Sequence, residues 1–160
     1  IIVSALLLAG IGIYLAQAQK PVENAVKGVQ QEDLAPATAD KILELVNQER
    51  AKVGVAPLVS DPRLVATAQA RADDMVARNY YGHYDPVDGH KMINDQNLQC
   101  VSASENINEA FTATETLDKW LNSKSHHDAM LDAKYSLTGI GIAKNYEKGW
   151  FEIVQHFCQQ

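Results

Sequence analysis

The first nineteen residues, IIVSALLLAGIGIYLAQAQ, carry no charged side chain, and this run constrains the chain more than any other feature. As a helix rising about 1.5 Å per residue, such a segment nearly spans a hydrocarbon core of ~30 Å. An uninterrupted uncharged stretch at a terminus is seldom core, which leaves three readings. It is a signal peptide, with Ala16-Gln17-Ala18 as a small-x-small cleavage site. It is an uncleaved signal anchor. Or it is the assembly helix of a pilin-like subunit, favoured by the apolar start at Ile1 and by Pro21 as a kink, and disfavoured by Ala5 where such subunits usually carry an acid. All three export the rest of the chain.

Composition narrows the class of partner. A formal charge of −6, with lysines and arginines scattered rather than striped, speaks against nucleic-acid binding, which needs a basic face to displace counterions. Export also bears on the two cysteines, Cys100 and Cys158. In an oxidising compartment an even count is most simply a disulfide, with two buried thiols as the alternative. Neither has a CxxC or CxxH neighbour, so a cysteine-based zinc site has no support.

Residues 20–37, with Pro21, Gly28 and Pro36, read as a linker or juxtamembrane helix, and 38–160 as the folded domain. Thr38 is an N-cap for a helix that buries Ile42, Leu45 and Val46 and stops at Gly54. Asp61-Pro62 opens a second helix, with Leu64, Ala68, Ala72, Met75 and Val76 as its apolar stripe, ending near Asn79. Residues 80–103, rich in turn formers, read as a long loop, which in a compact domain is functional or tied down. Thr112-x-x-Glu115 is a capping box for a third helix through Trp120 and Leu121, followed by a helical turn over 126–131. Segments 137–143 and 150–158 form an antiparallel hairpin, whose Gly139 and Gly141 permit close approach of a backbone or ligand. Helices first and strands last make an α+β fold.

The polar residues worth weighing are His83, Glu105, Ser123, His126, His127 and His156. Glu105, in Ser-Glu-Asn-Ile, suggests a short buried strand or turn. Singly each has an ordinary structural role, and their spacing matches no metal motif such as HExxH. His156, on the last strand, reads as packed or hydrogen-bonded.

Taken in order, several pieces carry a family resemblance: Leu45-Val46-Asn47-x-Glu49-Arg50, Pro57-Leu58, Asp61-Pro62-x-Leu64, His83-x-x-Pro86-x-x-Gly89, Ser104-Glu105-Asn106-Ile107, Trp120-x-x-Ser123-x-x-His126, Gly139-Ile140-Gly141, and the strand from Trp150 to Phe157. From about Ile42 to Phe157 the chain resembles the CAP superfamily, the sperm-coating-protein-like (SCP) domain of cysteine-rich secretory proteins, venom allergens and plant pathogenesis-related proteins. It looks most like the bacterial branch. The resemblance implies an α-β-α sandwich around a small central antiparallel sheet. It also implies a surface cleft where two histidines and two acids gather and some members bind zinc or another divalent ion. His83, Glu105 and His126 fall on three of those positions; Ser123 replaces the second acid, which weakens a metal site.

Three functions follow as expectations. The first is a non-catalytic extracellular module binding a lipid, envelope or protein ligand in the His/Glu cleft, with a divalent metal as a further ligand. The second is a pilin-like or membrane-held subunit, attached through residues 1–35, that displays the domain. The third is a hydrolase in which His83 or Glu105 activates water, or His126 activates Ser123.

Overall fold

The computed structural model describes residues 35–160; the readings of residues 1–19 as anchor, signal or assembly helix, and of the 20–37 linker up to residue 34, lie outside the described residues. Helix α1 (Ala39–Lys52) is capped by Thr38, whose hydroxyl accepts from the Lys41 N–H at 3.3 Å. Strand β1 (Val59–Ser60) leads to α2 (Pro62–Ala77), where the Asp61 carboxylate accepts the Arg63 N–H at 2.8 Å and Pro62 opens the helix. Left-handed backbone at Gly54 and Asn79 follows the two helices, where the sequence predicts their ends. Then come β2 (Ser102–Ala110), α3 (Ala113–Leu121), α4 (Lys124–Leu131), β3 (Leu137–Asn145) and β4 (Trp150–Gln159). Among the described residues no helix is long and apolar enough to cross a membrane.

The sheet order is β1-β3-β4-β2. β2–β4 and β3–β4 form the central antiparallel sheet that the resemblance implied, and the two-residue β1 joins β3 in parallel at its edge. Helix α2 covers one face, burying Ala68, Ala72 and Met75 against Ile107, Ala143 and Val154. On the other face Ile42 and Val46 of α1, Leu117 and Trp120 of α3 and Met130 of α4 pack with Ile140, Ile153 and Phe157. This three-layer α-β-α arrangement is the expected one.

Gly139 and Gly141 serve the close approach of α2. A Cβ at Gly139 would sit 2.1 Å from the Leu64 carbonyl carbon, and one at Gly141 would sit 2.2 Å from that of Ala68. Gln69 then pairs with the β3 backbone, accepting from Ile142 N and donating to Ile142 O, both at 3.0 Å.

Three expectations change. Glu105 lies in a nine-residue strand rather than a short strand or turn. Ser, Asn and Glu are weak strand formers, so only pairing with β4 reveals it. The connection before β2 holds a 3-10 turn, Met92–Gln96, and the helix carrying His126 starts earlier than predicted, at Lys124. Cys100 and Cys158 are bridged, with Cα atoms 5.5 Å apart, fastening the end of that connection to β4.

Candidate functional site

Register and alternation build the site from β2. Glu105 lies opposite His156 on β4, and both side chains turn toward α2. Glu105 Oε2 lies 3.2 Å from His156 Nε2 and 3.3 Å from Arg71 Nε of α2; Glu105 Oε1 lies 2.8 Å from His83 Nδ1. The carboxylate is buried, and burial by itself would raise its pKa. Hydrogen bonds from His156 and His83, with the Arg71 charge, outweigh burial and leave the group ionised with a pKa of about 2.

An ionised carboxylate only accepts hydrogen bonds. His83 therefore donates through Nδ1 and His156 through Nε2, and Nε2 of His83 is not committed to Glu105. His156 Nδ1 lies 3.0 Å from Thr67 Oγ1. Arg71 holds the strand-to-cleft segment as well, donating to Tyr80 Oη at 2.5 Å and to the Gly82 carbonyl. Tyr80 in turn donates to Asp74 at 2.5 Å.

Asn106 points to the opposite face from Glu105 and donates to the His126 carbonyl at 3.0 Å, fixing α4 to the sheet. One dipeptide on β2 thus positions both histidines. Their ring centroids are 6.0 Å apart. Burial, and secondarily the neighbouring His83, lower the pKa of His126 and favour neutral imidazole. Around them a cleft of about 230 Å³ is completed by Tyr84, Lys91, Ser104 and Ser125.

Ser123 stands elsewhere. It is the residue before α4 and its hydroxyl lies 3.3 Å from Ser125 Oγ, so Ser125 is the serine that lines the cleft. His127 contacts Asp128 at 3.5 Å and is outside the cleft. Among the described residues no three His, Cys, Asp or Glu side chains converge as a metal-binding group. The donor chemistry agrees: Glu105 spends both oxygens on His83, His156 and Arg71, which leaves two imidazoles. Those two fit a weak ion site completed by water, with Glu105 orienting His83 rather than ligating.

Sequence reading missed Arg71, Tyr80 and Lys91; His156, read there as packed or hydrogen-bonded, is hydrogen-bonded, but its partner Glu105 was not foreseen. Arg71 had a signal, because it lies on the apolar stripe of α2 between Ala68 and Ala72, where a charge requires a buried partner. His156 had a weaker one, alternating with Val154 and Cys158 on an inward strand face. Lys91 had none.

Comparisons with known proteins bear on the family and the fold. The family model described as CAP, the cysteine-rich secretory protein family, matches residues 43–159. YkwD, an uncharacterized protein of Bacillus subtilis (strain 168), is 30% identical over 148 residues, covering 80% of this chain and 58% of its own. An extracellular SCP-domain protein from Bacillus anthracis superposes with a TM-score of 0.65 at 23% identity, over 76% of this chain and 40% of that one. An outer surface protein of Borrelia burgdorferi gives 0.64 at 17% identity, over 74% and 90%. The chain thus spans little more than half of YkwD's length and 39% of that of a second relative, the B. subtilis membrane protein YlbC. Such likenesses to solved structures speak to the fold, and the family match speaks to kinship: the chain belongs to the CAP family of cysteine-rich secretory proteins.

Proposed function

We propose that the protein is an exported binding module of the cell envelope, with the cleft between His83 and His126 as its ligand site. Residues 1–35 hold it at a membrane or in a larger assembly, and the ligand is a lipid, an envelope polymer or a protein segment. The observation that carries this reading is the commitment of Glu105. Its carboxylate braces His83, His156 and Arg71, and Ser123 bonds Ser125 rather than His126. The cleft is a partly polar recess whose His83 is held in place by hydrogen bonding, which suits recognition.

A divalent ion at His83 and His126 is a second reading, favoured by the Nδ1 bond that leaves Nε2 of His83 available. Bound there, the ion would offer open positions to a ligand oxygen.

Binding of purified peptidoglycan, anionic phospholipid vesicles and zinc chloride should be measured on the wild type and on Ser125→Trp, which plugs the cleft from an exposed position. Retention of a probe by the wild type and its loss in the variant supports the reading. No probe distinguishing the two proteins, or ester or amide turnover abolished by His126→Ala, overturns it in favour of another site or of a hydrolase.

A further inference from the structure

Strand β2 is the edge of the sheet, and its two halves are treated differently. The carbonyls of Ile107 and Glu109 face away from β4. The first accepts from Tyr81 Oη at 3.1 Å and from Trp120 Nε1 at 3.4 Å, and the second from Lys119 Nζ. Side chains from the 78–101 connection and α3 therefore seal this half. Alternation places the N–H and C=O of Ala103 and Glu105 on the same outward side. No described residue hydrogen-bonds them. Ala103 is exposed, and this open stretch of edge runs along the cleft, where Ser104 and Glu105 are lining residues.

The walls suit one extended chain. His83, Tyr84 and Lys91 stand on one side of the edge, and Ser125 and His126 on the other. A recess of about 230 Å³ takes roughly two or three residues. Its charge is also one-sided. Glu105, the acid of the cleft, is neutralised by Arg71, whereas Lys91 has no ionic partner among the described residues.

Taking the cleft as the binding site proposed above, we propose that it receives the C-terminal end of an extended peptide. The peptide adds as a short strand to the outward groups of Ala103 and Glu105 and sets its terminal carboxylate against Lys91. Main-chain pairing to an open edge supplies the affinity, and the ammonium selects for a free terminus. The open half of β2 is an edge that most sheets would protect; here it is left for a ligand.

The test uses a pool of random heptapeptides with free C-termini, selected on the full chain, with the winning sequence resynthesised. Amidation of its C-terminus should weaken binding at least tenfold, and Lys91→Gln should do so for the acid but not for the amide. N-methylation at the residue facing Ala103 should abolish binding, and methylation one residue along should not. Equal affinity for acid and amide, or indifference to N-methylation at both positions, overturns the proposal. So does a pool that yields no binder. If peptidoglycan, vesicles or zinc still bind in a manner sensitive to Ser125→Trp, the cleft remains a binding site for another ligand. If those probes fail too, the cleft reading falls with the peptide.

Discussion

Glu105 and His156 face each other across the β2–β4 ladder, with Oε2 3.2 Å from Nε2. Neither lies near the other in sequence, and each owes its orientation to strand register. Arg71 approaches the same oxygen from α2 at 3.3 Å. Removing the Glu105 charge leaves a buried guanidinium without its counter-ion, so Glu105→Gln should destabilise the domain by about 3 kcal/mol at neutral pH. The sign with pH follows from the depressed pKa of about 2. Stability from the ionised group is present above the unfolded carboxyl range and lost as pH falls from about 5 toward 2. Urea titrations across that range should show the wild type converging on the variant; parallel curves would place Glu105 outside the stabilising network.

Glu152 should behave in the opposite sense. It is fully buried, with Glu109 opposite it across the β2–β4 ladder. Burial raises its pKa, Asn145 partly offsets this through a hydrogen bond, and Glu109 raises it further. A carboxyl whose folded pKa is raised favours folding below its unfolded pKa and loses that contribution as pH rises through the folded value. Glu152→Gln keeps the shape without the charge and should gain on the order of 1 kcal/mol at pH 7. Thermal melts at pH 5 and pH 8 check this, with the larger gain at the higher pH.

Gly139→Ala and Gly141→Ala should each destabilise by about 2–3 kcal/mol or prevent folding, because the new methyl meets helix backbone and not a movable side chain. Chemical denaturation of each variant measures it. A loss below about 0.5 kcal/mol would mean that α2 lifts from β3 at little cost.

Arg50 is buried and donates to four carbonyls: Ala56 at 2.7 Å, Met130 at 2.6 Å, Asp132 at 3.2 Å and Tyr135 at 2.9 Å. Arg50→Met keeps the aliphatic volume and strands these acceptors, at a cost of about 3 kcal/mol or more. The Cys100–Cys158 bridge spans 58 residues and should contribute about 4 kcal/mol, lost on reduction or in the double Ser variant. Denaturation midpoints with and without reductant test the bridge; for Arg50 an unchanged midpoint would show the carbonyls re-paired with water.

Much of this was legible in one dimension. Caps at Thr38, Asp61 and Thr112 and the stripes after them mark three helices, because capping and amphipathic periodicity are local. Gly139 and Gly141, two apart, mark a strand face approached by backbone. The ordered motifs named the family, and with it His83, Glu105 and His126. What no local pattern carried was decided by tertiary structure. Strand β2 is polar, and only pairing with β4 makes it a strand. Its register chose His156 as the partner of Glu105, and its edge position left Ala103 and Glu105 open. Arg71 comes to Glu105 from a helix, and Lys91 to the cleft from a connection, whose paths depend on packing. Periodicity reports which face of an element is buried. Which residues from distant elements share that burial, and so which charges must be paired there, is settled only once the layers close.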